Sequence, residues 1–102
     1  MNTLFVTHPI ALRHEMGEGH PEQPDRLRAI ERILEGEAFQ ALAREIAPKG
    51  EREAILRVHP EVFIAELEAS APASGYAQLD GDTTMNPHTL EAALRGVGGC
   101  CL

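Results

Sequence analysis

A short apolar run near the start of the chain, residues 4–6 (LFV), places the strongest constraint on its fold. A polar turn ending in Pro9 closes the run, and such a segment predicts a strand buried on both faces, as in a parallel sheet. A second strand is predicted at residues 45–47, and residues 76–79 are predicted to be extended. Two or three short strands make a poor sheet by themselves. The pattern therefore predicts the front part of a larger α/β domain.

Helical periodicity dominates the rest of the chain. A first helix is predicted to begin at Pro24, whose missing N–H suits the first turn, and to stop near Gly36. The clearest apolar stripe, at residues 90, 93, 94 and 97, predicts a last helix with Asn86 as its N-cap and Pro87 at its first helical position. Shorter helices are predicted at residues 37–43, 51–58 and 61–69.

Length and composition exclude several classes of function. The chain has 102 residues, enough for one small domain. A net charge of −7 argues against a general nucleic-acid-binding surface. No apolar run approaches membrane-spanning length, and the first residues lack the features of a signal peptide, so we expect no membrane partner and a cytoplasmic location. The adjacent Cys100 and Cys101 are expected to be reduced thiols in a buried segment.

The stretch at residues 14–27 (HEMGEGHPEQPDRL) raises the question of a metal site. His14 and His20 stand among three glutamates, and zinc does bind histidine and carboxylate. The stretch lacks the HExxH pattern, and two glycines rather than a rigid helix separate its histidines. We therefore favour structural roles for these residues. An independent metal-binding loop at residues 14–22 is kept as an alternative.

Other polar positions admit two interpretations each. Asp80 and Asp82 are either paired carboxylates for calcium or acid/base chemistry, or a turn, and the missing EF-hand glutamate favours the turn. Arg26 lies in a first helical turn, where a cation opposes the helix dipole. It is expected to be held by carboxylates or needed for an anion, unless it is a surface arginine with a packed stem. His59, before Pro60, is expected to cap a helix.

The order of the motifs is more specific than any one of them. A short first strand is followed by HPEQPDRL at residues 20–27, RVHPEVFIAEL at 57–67, LDGDTT at 79–84 and LEAALRGVGG at 90–99. In this order and spacing, the chain resembles the start of the histone deacetylase family, which includes bacterial acetoin-utilisation and acetylpolyamine amidohydrolase branches. The resemblance covers residues 1–102 as one incomplete domain.

The resemblance implies an arginase-like three-layer α/β fold with a parallel sheet between helices. It also implies a zinc-dependent amidohydrolase, in which zinc polarises an acyl carbonyl and a histidine pair moves protons. A full-length relative is expected to take acetylated lysine or an acetylated polyamine as substrate. The family's tandem histidines, its zinc ligands and its tyrosine lie beyond the glycine pair at residues 98–99. We therefore assign no catalytic or metal residue to this chain and expect it to bind no zinc.

Three roles are implied for residues of this chain. His20 and Pro21 match the first active-site loop, at the rim of the substrate pocket. Asp80 or Asp82 matches the loop that meets the substrate backbone at the pocket mouth, and Arg26 matches the arginine that lines an internal channel behind the metal. We therefore expect the N-terminal segment of a zinc-dependent deacetylase, inactive as a chain of 102 residues. The alternative is a small non-enzymatic relic or partner-binding module.

Overall fold

The computed structural model describes residues 2–102, which form a mixed arrangement of helices and short strands. The strands are β1 (Leu4–Thr7), β2 (Ala43–Ile46), β3 (Ala77–Gln78) and β4 (Thr84–Met85). The α-helices are α1 (Pro24–Leu34), α2 (Arg52–Leu56), α3 (Glu61–Ser70) and α4 (Thr89–Cys101). Two 3₁₀ turns are Pro9–Leu12 and Glu37–Phe39. β3 and β4 pair as an antiparallel hairpin.

β1 and β2 form a parallel pair, with Leu4 opposite Ala43 and Thr7 opposite Ile46. Parallel neighbours need a crossover connection, and α1 lies on it. This β1–α1–β2 unit confirms the predicted α/β class and the first two predicted strands. The sequence also predicts burial of β1 on both faces, but Leu4 is 49% exposed. Among the described residues the sheet has only two strands, so its faces and edges are incompletely covered.

The segment after α1 departs from the prediction. α1 itself begins at Pro24 and stops before Gly36, as predicted. The helix predicted at residues 37–43 is wrong, because only a three-residue 3₁₀ turn forms before β2. The backbone N–H of Ala43 donates to the carbonyl oxygen of Thr3 at 2.9 Å. Pairing with the first strand therefore overrides the local helical preference.

α4 begins two residues later than predicted. Oδ1 of Asn86 accepts the backbone N–H of His88 at 3.0 Å, which closes a turn before the helix starts at Thr89. At its other end the helix continues through Gly98 and Gly99 to Cys101. Cys100 and Cys101 are free thiols, as expected, but both are exposed, so their expected burial is wrong for the described residues.

The buried core of residues 2–102 is small and lies where α4 packs against the parallel β1–β2 pair and the adjacent segments. The buried apolar side chains are those of Ala47, Ile64 and Met85. Gly98 lets α4 lie directly on the segment that follows β2. A Cβ at this position would stand 1.8 Å from the carbonyl oxygen of Pro48. Close backbone contact, more than side-chain interdigitation, therefore seats α4.

Much apolar surface remains open to solvent. The accessible surface is 7188 Å², whereas a folded monomer of this length exposes about 5,700 Å². The radius of gyration is 15.3 Å, against about 13 Å for a compact domain of this size. Ile33 on α1 and Val62 on α3 are each 65% exposed. In the described part of the chain, no helix combines the length and apolar character needed to cross a membrane.

Candidate functional site

The polar loop, residues 13–23, connects the first 3₁₀ turn to α1. Gly17 (φ 109°) and Gly19 (φ 84°) adopt left-handed backbone conformations that other residues rarely adopt. Since the loop contains neither helix nor strand, its backbone has no ladder of regular hydrogen bonds to hold it. Its position therefore depends on side-chain contacts with three other segments of the chain.

His20 joins the polar loop to the turn between β3 and β4. Its Nδ1 accepts the backbone N–H of Glu22 at 3.0 Å, which assigns the ring proton to Nε2. Nε2 donates to the carbonyl oxygen and to Oδ1 of Asp82, both at 3.1 Å. The side chain of His20 is 20% exposed and that of Asp82 is 90% exposed, and Pro21 is exposed beside them. Two predicted rim residues thus lie in direct contact.

Asp80 has a different role from Asp82. Its Oδ1 accepts the backbone N–H of Asp82 at 2.8 Å. This hydrogen bond holds the pKa of the Asp80 carboxyl below its usual value. The Asp80 carboxylate therefore stabilises the turn in which it lies, as the turn interpretation predicts. Of the two aspartates, Asp82 is the one that hydrogen-bonds the polar loop in the described chain.

Three further contacts hold the first half of the polar loop. Nδ1 of His14 lies 2.8 Å from Oγ1 of Thr89, at the start of α4. Nε2 of His14 lies 3.0 Å from a carboxylate oxygen of Glu22. The hydroxyl of Tyr76 donates to Glu15, and this bond raises the pKa of Tyr76. Both ring nitrogens of His14 therefore contact protein groups, as a structural role requires.

Arg26 lies in the first turn of α1, with Nη1 3.4 Å from Oε1 of Glu22. Its side chain is 56% exposed. Glu22 supplies the carboxylate that a cation at the positive end of a helix needs. The assignment of Arg26 to an internal channel stays a prediction.

An apolar groove of 540 Å³, which no motif of the sequence predicted, lies between α2, α3 and α4. His59 lines this groove. The prediction that it caps a helix is wrong. Its ring packs against Phe63 with centroids 5.4 Å apart, and α3 has no side-chain cap. Arg52 at the groove donates to Glu61 at 2.8 and 2.9 Å and to Glu68 at 3.0 Å. The signal for this cluster was two glutamates placed two turns apart on one helix face.

The pair of Arg52 and Glu61 predicts a pH-dependent contribution to stability. Its hydrogen bonds lower the pKa of Glu61 in the folded chain. The contribution is therefore complete above the ordinary glutamate pKa of about 4.3 and is lost as the pH falls through the lower folded-state value. We expect Arg52→Gln to lower the urea midpoint at pH 7 and the difference from wild type to shrink below about pH 4.

Arg57→Gln is the matched control for this pH experiment. Arg57 follows α2 directly and forms no ion pair within the described residues. Its substitution should give the same small change in urea midpoint at both pH values. A constant difference between Arg52→Gln and wild type across this range would contradict the role given to Glu61.

Comparison with known proteins gives concordant matches. The sequence profile of the family described as "Histone deacetylase domain" matches residues 20–102. A "Probable deacetylase" of Archaeoglobus fulgidus is 29% identical over 102 residues, an alignment that covers 97% of this chain and 28% of that protein. The crystal structure of the HDA15 HD domain superposes with a TM-score of 0.82 at 24% identity.

These matches cover nearly all of this chain but less than a third of each relative. The superposition covers 98% of this chain and 30% of the HDA15 chain, and at its level of identity it concerns the fold. The chain therefore spans less than a third of the length of the relatives it matches. The fold of residues 2–102 agrees with the predicted α/β arrangement over nearly its whole length.

Proposed function

This chain belongs to the histone deacetylase domain family, and on that premise we propose that it supplies one side of the substrate-pocket rim of a zinc-dependent deacetylase. The reaction is hydrolysis of the amide bond of an acetylated lysine or acetylated amine. Support for the reaction class comes from the Archaeoglobus relative, which is described as a probable deacetylase. In this proposal the chain forms the N-terminal part of the catalytic domain.

The contact between His20 and Asp82 carries the proposal. His20 holds Oδ1 of Asp82 at 3.1 Å and leaves the carboxylate 90% exposed. A carboxylate that is fixed and faces solvent accepts backbone N–H groups of an extended substrate through charge-assisted hydrogen bonds. Such bonds place an acyl-lysine chain in the pocket before the chemical step. His20 then acts by orienting Asp82, with Pro21 shaping the loop beside it.

Zinc would supply Lewis-acid activation of the acyl carbonyl in this reaction. Within residues 2–102, no three or more His, Cys, Asp or Glu side chains gather where they can hold a metal ion. The described residues therefore do not fit a zinc site. The proposal assigns none of them to metal binding or catalysis, and it gives Arg26 the channel position.

The proposal is tested in a chimera in which this chain replaces the aligned segment of the Archaeoglobus probable deacetylase. We expect the chimera to hydrolyse an acetyl-lysine peptide. Asp82→Asn should lower kcat/KM about tenfold, mainly through KM, because a hydrogen bond to a charged group contributes about 1.5 kcal/mol. Asp80→Asn is the matched control, since its amide oxygen still accepts the Asp82 N–H, and it should leave kcat/KM unchanged.

Three outcomes would contradict parts of this proposal. A folded chimera without turnover, beside an active parent, contradicts the proposed function. Equal losses for the two aspartate variants contradict the rim assignment to Asp82. The unfused chain supplied with zinc should show no turnover, and measurable turnover would mean that it carries its own catalytic residues.

A further inference from the structure

A chain of hydrogen-bonded side chains begins in the buried turn before α4. Asn86 is 6% exposed, and its amide donates to the carbonyl oxygen of Arg13 at 2.7 Å. Its Oδ1 accepts the N–H of His88 at 3.0 Å and the hydroxyl of Thr89 at 3.1 Å. Oγ1 of Thr89 in turn accepts the N–H of Asn86 at 2.9 Å. These bonds fix the Thr89 hydroxyl in one place.

His14 links this fixed hydroxyl to the polar loop. Its Nδ1 lies 2.8 Å from Oγ1 of Thr89, and its Nε2 lies 3.0 Å from Oε2 of Glu22. This is an ion-pair contact, and a carboxylate attracts a ring nitrogen that carries a proton, so the contact favours a proton on Nε2. The single hydroxyl proton of Thr89 goes either to Oδ1 of Asn86, in which case Nδ1 of His14 donates to Oγ1, or to Nδ1 itself, and both arrangements hold the ring at two points.

The Glu22 carboxylate contacts both His14 and Arg26, so the position of His14 affects that of Arg26. While Oε2 of Glu22 is held by His14, Oε1 lies 3.4 Å from Nη1 of Arg26. A neighbouring pair on α1 offers an internal comparison. Nη1 of Arg28 lies only 2.8 Å from Oδ1 of Asp25, but the Asp25 side chain is 76% exposed. In the described chain no histidine contacts Asp25, and exposed ion pairs of this kind hold their side chains weakly.

We propose that His14 and Thr89 are positioning residues, which hold Glu22 so that Arg26 keeps one side-chain geometry. The inference rests on the proposed function for the use made of Arg26, whereas the hydrogen bonds belong to this chain alone. A cation that lines a path for a small anion, such as the acetate that deacetylation releases, binds better when it is fixed beforehand. The links from Asn86 to Glu22 supply that rigidity from the buried end of α4.

The test is ¹⁵N relaxation of the arginine Nε–H groups, which reports the order of each side chain on the picosecond to nanosecond timescale. In the wild-type chain Arg26 should be more ordered than Arg28, although contact distance alone predicts the reverse. Thr89→Val, which removes the hydroxyl at nearly constant volume, should lower the Arg26 order parameter to the level of Arg28. Thr89→Ser keeps the hydroxyl and should restore it, and Arg28 should not change in either variant.

Two results would overturn the inference. One is a wild-type Arg26 no more ordered than Arg28, and the other is an Arg26 that Thr89→Val leaves unchanged. If Thr89→Val does not fold, His14→Ala breaks the same path between Thr89 and Glu22, with Asp25→Ala as the control that affects Arg28 alone. The readout needs neither zinc nor turnover. An ordered Arg26 in this chain, beside a folded chimera without turnover, would therefore contradict the proposed function and leave this inference standing.

Discussion

Gly98→Ala is expected to detach α4 from the segment after β2 and to lower the free energy of unfolding by about 3 kcal/mol. A Cβ at this position would stand 1.8 Å from the carbonyl oxygen of Pro48 and 2.9 Å from the backbone nitrogen of Gly50. Both neighbours are backbone atoms, which cannot rotate aside as the end of a flexible side chain can. The helix itself would have to move.

Movement of α4 would break the bonds that join it to the end of β2. The backbone N–H of Gly50 donates to the carbonyl oxygen of Leu94 at 2.8 Å, and Nη1 of Arg95 donates to the carbonyl oxygen of Ala47 at 3.2 Å. Because Ala47 belongs to the small buried core, its exposure would add to the loss. A chain with few buried side chains has little reserve against a change of this size.

Urea unfolding followed by far-UV circular dichroism measures this effect, and Gly96→Ala is its matched control. Gly96 lies in the same helix, and a Cβ there would meet no atom within 4 Å. Alanine favours a helix interior by about 1 kcal/mol over glycine, so Gly96→Ala should raise the urea midpoint. A Gly98→Ala chain that unfolds at or above the wild-type midpoint would contradict the close backbone approach.

Local patterns were sufficient where an element depends on its own residues. The Pro24 start, the stop before Gly36 and the apolar stripe of α4 follow from helix chemistry, and the structure confirms them. The helix predicted at residues 37–43 did not form, because the segment pairs with β1, and local propensity does not include contacts between distant segments. The late start of α4 has a different cause, since Asn86 closes a turn before the helix instead of capping it.

The candidate site was predictable only in part, for a related reason. The order of motifs placed His20 and Asp82 at one rim, and the structure brings them into contact. The link from His14 to Thr89 joins residues 75 positions apart, and no spacing rule indicates it. By contrast, Glu22 stands only four residues before Arg26, so that pair is a local contact between the end of the polar loop and the first turn of α1.

Asn86→Ala is expected to lower the free energy of unfolding by about 3 kcal/mol and to loosen the polar loop. The substitution removes the partners of the Arg13 carbonyl and of the His88 N–H, and a buried polar group left without a partner costs about 1–3 kcal/mol. Asn86 is 6% exposed, so water cannot readily replace its amide. Arg13 is the first residue of the polar loop, and the loss therefore extends beyond the turn.

The local consequence is measurable by hydrogen exchange of single amides. The N–H of Glu22 donates to Nδ1 of His20 inside the polar loop. If Asn86 holds the beginning of that loop, Asn86→Ala should speed exchange of this amide about 100-fold, which corresponds to the expected loss of about 3 kcal/mol. Amides of α3, which does not contact the loop through these bonds, should change less.

Asn2→Ala is the control, because it makes the same chemical change at an exposed position. It should alter the free energy of unfolding by no more than about 0.5 kcal/mol and leave the Glu22 amide unaffected. A loss of stability for Asn86→Ala with unchanged exchange at Glu22 would mean that Asn86 supports only the turn before α4. In that case the polar loop would depend on the contacts of His20, His14 and Glu15, and the path of side-chain contacts toward Arg26 would begin at Thr89.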